Sequence, residues 1–121
     1  MHKIMQRTAI AFAFALAATV AHAHAQLVKA TPAVGATVAS ANEIRLKFSE
    51  GVESRFSRIT LTAADGAAIA LGAATIDSGD ATVFVAPLAK PLPPGAYTVH
   101  WSAVSTDTHR TQGAFKFTVK P

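Results

Sequence analysis

The 121 residues include no cysteine, which excludes disulfides, thiolate metal sites and thiol nucleophiles together. The formal net charge is +4, but Lys3 and Arg7 lie in a stretch of 23 residues without an acid, and the remaining 98 residues carry 9 Lys+Arg against 7 Asp+Glu. Those 98 residues suffice for one domain and no more, and with no basic run among them nucleic acid is not an expected partner.

Lys3 and Arg7 make a basic start, Thr8 to Val20 is an apolar run of 13 residues, and Ala21-His22-Ala23 puts small residues where a signal peptidase reads them. The run falls short of the roughly 20 residues that span a bilayer. Residues 1–23 therefore read as a cleaved export signal, with no membrane insertion of the mature chain. Cleavage after Ala23 makes His24 the first mature residue. A rival small-x-small site at Ala23-His24-Ala25 would remove it.

From residue 24 the elements are short, alternating and separated by turn residues, with no internal repeat or linker, so one all-β domain is expected over 24–121. A first strand around Leu27-Val28 runs into a turn at Thr31-Pro32-Ala33-Val34-Gly35. Ile44, Leu46 and Phe48 alternate with Arg45 and Lys47, and Ile59 and Leu61 alternate with Thr60 and Thr62 up to the Asp65-Gly66 turn. A strand from Ala74 to Asp77 precedes the Ser78-Gly79-Asp80 turn, then an apolar strand covers Thr82 to Ala86 and a proline-rich corner runs from Pro87 to Gly95. Tyr97, Val99, Trp101 and Ala103 share one face, and Phe115, Phe117 and Val119 give the last strand its inward side. About seven such strands predict a β-sandwich with a core led by Phe48, Tyr97, Trp101, Phe115 and Phe117.

The chemistry concentrates in three histidines, His24, His100 and His109. Asp107 and His109 stand two apart, so extended backbone would place both side chains on one face. A histidine at a free N-terminus offers an α-amine and a ring nitrogen to one metal. With His109 and Asp107 this makes three nitrogens and an oxygen, a set that suits tetragonal Cu(II). The same Asp107-Thr108-His109 also reads as a polar loop whose aspartate makes a turn hydrogen bond, and spacing alone leaves both readings open. His100 sits opposite Trp101 in strand parity and reads as a surface residue.

The segment His24-Ala25-Gln26-Leu27-Val28-Lys29-Ala30-Thr31-Pro32-Ala33 resembles the mature start of the CopC family of periplasmic copper-resistance proteins, in which a histidine opens the chain and a proline follows shortly. Leu46-Lys47-Phe48-Ser49-Glu50 resembles that family's L-x-F-S-E segment. Pro94-Gly95-x-Tyr97-x-Val99-x-Trp101, Ser105-x-Asp107-x-His109 and Gly113-x-Phe115-x-Phe117 resemble its C-terminal signature. The resemblance spans essentially all of 24–121 and implies a cupredoxin-like Greek-key sandwich that carries one Cu(II) in the periplasm rather than turning over a substrate. It implies His24 as a ligand through amine and imidazole, His109 through imidazole and Asp107 through carboxylate, with Glu50 as an outer-shell or weak axial group. It also implies a monomer whose partner is a separate CopD-like inner-membrane copper protein, since the chain stops at Pro121 directly after the last strand.

One departure stands out. Some family members carry a methionine-rich loop suited to Cu(I), whereas the methionines here are Met1 and Met5, and Ala63 to Ala74 holds Ala, Gly, Leu, Ile and Asp65. No Cu(I) site is expected. Two other readings compete with a copper carrier. An N-terminal copper-bound histidine also resembles the histidine brace of lytic polysaccharide monooxygenases, although one tryptophan, assigned to the core, leaves little aromatic surface for a polymer. A metal-free Ig-like interaction module fits the fold class alone.

Overall fold

Alternating side chains build two sheets that close on one core. The computed structural model describes residues 24–121, so the export signal read in 1–23 lies outside the described residues. The strands are β1 Leu27–Thr31, β2 Thr37–Val38, β3 Glu43–Phe48, β4 Arg58–Ala63, β5 Ala68–Ile69, β6 Thr75–Asp77, β7 Asp80–Pro87, β8 Gly95–Val104 and β9 Arg110–Val119, with a 3-10 turn at Ser54–Phe56. One sheet has the order β1-β3-β7-β6 and the other β2-β9-β8-β4-β5. All pairings are antiparallel except β2 with β9. The expected all-β sandwich is therefore present, and the seven anticipated strands are joined by the two-residue β2 and β5. Among the described residues, no helix is long and apolar enough to cross a membrane.

Strand β3 shows how the pattern works. Ile44, Leu46 and Phe48 are buried, while Glu43, Arg45 and Lys47 line the other face. Phe48, Phe84 and Phe117 are the largest fully buried side chains, joined by Tyr97 and Phe115. Fully burying each such ring stabilises the fold by about 1.5–3 kcal/mol. Tyr97 stacks on Phe117 and donates its hydroxyl to the Pro93 carbonyl at 2.5 Å, which ties the proline corner to β8.

Trp101, expected among the leading core aromatics, packs against the core from its edge. It is half-buried at the margin, edge-on to Phe48 at 5.2 Å, and lies against its cross-strand partner Gly113. A Cβ on Gly113 would stand 2.7 Å from Trp101 Cζ2, so the glycine is needed for this close approach. Gly113→Ala is expected to destabilise the domain by about 1–3 kcal/mol through overpacking. An unchanged melting midpoint would contradict that role.

The outer face of the first sheet is laced by ion pairs. Arg45 bonds Asp77 at 2.8 Å, and Lys47 bonds Asp80 at 3.0 Å. Asp80 also accepts from the hydroxyl and the amide of Thr82, and these bonds, the hydroxyl foremost, lower its pKa from 3.8 to about 2. Because the folded value lies below the ordinary one, this stabilisation is complete above pH 3.8 and is lost as pH falls through about 2. Asp80→Asn should therefore flatten the acid limb of stability in that window, read by circular dichroism. An identical limb in both proteins would count against the assignment.

Candidate functional site

The site forms where the start of the domain meets the β8–β9 loop. Ala25 is completely buried, and its carbonyl accepts from Thr111 Oγ1 at 2.7 Å. Gln26 is tied to Ser49 in both directions, its N–H to Ser49 Oγ at 2.9 Å and its carbonyl to the Ser49 N–H at 2.8 Å. These three anchors on β9 and the end of β3 hold His24, which is exposed, in one place. Its ring lies 4.5 Å from that of His109, centroid to centroid, at an interplanar angle of 68°.

The opposite wall is a closed loop from Ser105 to His109. Strand alternation breaks at the end of β8, where Ala103, Val104 and Ser105 are all buried. The 51–57 segment covers them there, through the Val52–Ser105 bridge and the Glu53 N–H on the Val104 carbonyl at 2.8 Å. The Ser105 N–H donates to the His109 carbonyl at 2.9 Å, and the Thr108 N–H donates to the Ser105 carbonyl at 2.8 Å. Closing so short a loop puts Thr108 at φ 73°, the left-handed region a β-branched residue rarely occupies. Backbone strain of this kind concentrates where function over-determines geometry.

Asp107 and His109 thus come together through a turn, not along one face of an extended strand as their spacing suggested. Asp107 Oδ1 accepts from the buried Ser105 hydroxyl and, at 3.3 Å, from the His109 N–H, and it also lies 3.3 Å from His109 Nδ1. The Ser105 hydrogen bond, foremost, then the His109 contacts, hold the Asp107 carboxyl below its ordinary range, so it is the anionic partner of the ring. An Nδ1 directed at a carboxylate orients the imidazole and turns Nε2 outward, the arrangement metal-ligating histidines commonly use.

Glu50 stands at the same edge by backbone. It is flanked by Ser49, bonded to Gln26, and by Gly51, whose carbonyl accepts from the Thr106 N–H at 3.1 Å. Its half-buried side chain makes no hydrogen bond or ion pair among the described residues. His100 is exposed on β8. Among the described residues, no three His, Asp or Glu side chains converge into a closed cage. His24 meets His109 and His109 meets Asp107 in pairs, so a metal here would need a further donor. Sequence reasoning missed the supporting roles of Ser49, Ser105 and Thr111: Ser49 and Ser105 fall within the family motifs, but nothing in the sequence marks these hydroxyls as hydrogen-bonding anchors.

The CopC domain family matches residues 27–120. The chain is 42% identical to Protein YobA of Escherichia coli strain K12 over 99 residues, 81% of this chain and 80% of that one. It is 41% identical to Copper resistance protein C of Pseudomonas syringae pv. tomato over 106 residues, covering 84% of each. The structure resembles that of PcoC, a methionine-rich copper resistance protein from Escherichia coli, with a TM-score of 0.75 and 35% identity over 81% of this chain and all of that one. With a family match that runs from β1 past β9 and a fold shared with PcoC, the chain belongs to the CopC family of copper-resistance proteins.

Proposed function

We propose that the exported chain, cut after Ala23, is a periplasmic Cu(II) carrier or buffer that binds one ion at His24, His109 and Asp107. The observation that carries this reading is the 4.5 Å approach of two imidazoles drawn from opposite ends of the domain. The freed α-amine and ring of His24 supply two nitrogens, His109 supplies a third, and Asp107 supplies an oxygen or orients His109. This is a hard-to-borderline N,O set of the kind Cu(II) prefers. Glu50, next to the Gly51 carbonyl that holds the Thr106 N–H, serves as an outer or weak axial group. The natural recipient is a separate CopD-like membrane protein. Native mass spectrometry of the exported protein with and without Cu(II) tests the proposal, since one spectrum reports both the first residue and the stoichiometry. A chain starting at His24 with one copper supports it, and a chain that takes up none removes it.

Cu(I) should bind weakly. Residues 24–121 contain neither methionine nor cysteine, so reduction leaves the ion only imidazoles and harder donors. Reducing the copper-loaded protein in the presence of a Cu(I) chelator is expected to strip it, and retention of the ion would contradict this. PcoC, the methionine-rich copper resistance protein whose structure this one resembles, differs from this chain on that point.

A further inference from the structure

The two outer faces of the sandwich handle charge differently. On the β1-β3-β7-β6 sheet Arg45 and Lys47 are paired with Asp77 and Asp80. On the β9-β8-β4 face the registers align Arg58 with Ser102 and Gln112, and Thr62 with Thr98 and Lys116, and no outward position of these strands is an aspartate or glutamate. Among the described residues Arg55, Arg58, Arg110 and Lys116 have no carboxylate partner. The nearest acids along the chain, Glu53, Asp65 and Asp107, all lie on loops at the ends of these strands.

Arg110 is held in position. Its Nη1 donates to the Phe56 carbonyl at 3.1 Å and to Ser102 Oγ at 2.5 Å, which leaves Nη2 and Nε for an incoming carboxylate. Phe56 is 55% exposed, and the Arg55 guanidinium lies 5.5 Å from its ring centroid. Arginine and exposed aromatics are the residue types that anchor protein interfaces. Arg110 directly follows His109, so the patch begins at the rim of the candidate site.

We propose that this face docks an acidic protein surface. Arg58 and the pre-positioned Arg110 receive its carboxylates, and Phe56 seats against an apolar residue among them. A single exposed aromatic is too little apolar face for a lipid surface, which asks for a broad apolar stripe. That the partner takes or gives copper at His109 rests on the function proposed above; docking itself rests on charge and exposure.

The test uses metal-free, isotope-labelled protein starting at His24, so that failure of docking and failure of copper binding are read separately. The probes are a capped hexaglutamate peptide, a capped peptide alternating glutamate with leucine, and vesicles of phosphatidylglycerol and phosphatidylethanolamine. Amide shifts are expected around Arg58, Ser102 and Arg110 with both peptides, larger at equal concentration for the leucine peptide and suppressed by salt. Arg58→Ser, whose side chain makes no hydrogen bond among the described residues, should weaken binding about fivefold, the upper end for an exposed charge pair. Phe56→Ala should abolish the preference for leucine. Shifts centred on Lys29 and Arg45, unchanged binding by Arg58→Ser, or sedimentation with vesicles but no peptide binding would each overturn the proposal.

Discussion

One extra alanine ahead of His24 is expected to cost the protein more than about 100-fold in Cu(II) affinity, although every side chain of the site is still present. The extension turns the α-amine into an amide, which no longer offers a free lone pair and so breaks the two-nitrogen chelate. Even the loss of an outer partner of a metal ligand costs about 10–100-fold, and here a ligand itself disappears. The ring is not expected to move, because Ala25 stays buried with its carbonyl on Thr111 and Gln26 stays bonded to Ser49. Copper must also displace a proton from the amine, ordinarily with a pKa of about 7.7–8.0. Affinity of the native-start form should therefore fall as pH drops below that range, with proton release on binding, while the extended form lacks that component. Competition titrations of both forms at matched pH check this, and equal affinities would remove the α-amine from the site.

The second large effect belongs to His109. His109→Ala should weaken Cu(II) binding by more than about 100-fold on the same grounds. The fold should survive, since the ring is exposed and, among the described residues, its side-chain partners are His24 and Asp107. Asp107→Ala should cost less, about 10–100-fold, because it removes one oxygen or the orientation of one ring and leaves three nitrogens in place. If Asp107→Ala is the more damaging change while both variants melt like the native protein, the carboxylate is the dominant ligand and the roles are reversed.

The strands were legible wherever one face is buried, because the period of two is written in the residues of β3, β4, β8 and β9. β2 and β5 were not, since two residues carry no period and exist only because β9 and β4 lie beside them. The continuous apolar run of β7 hid which of its residues is central, and Phe84 proves fully buried. Trp101 was assigned to the core by parity, but parity says nothing of depth, and the missing Cβ of Gly113 lets the ring rest at the margin. The pairing of Asp107 with His109 was visible in their spacing. Its geometry was not, because the turn depends on Thr108 entering the left-handed region and on the 51–57 segment burying Ser105. The approach of His24 to His109 is a property of the closed sandwich; the residues alone offered that pairing as one of two open readings, and the family resemblance favoured it.

The central claim, two imidazoles on one Cu(II) in a chain that starts at His24, is tested most directly by pulsed electron paramagnetic resonance of the copper-loaded protein, which counts coordinated imidazoles through their remote nitrogens. The account predicts two in the native-start protein and one in His109→Ala. A single imidazole in the native protein, or a count that His109→Ala leaves unchanged, would contradict it.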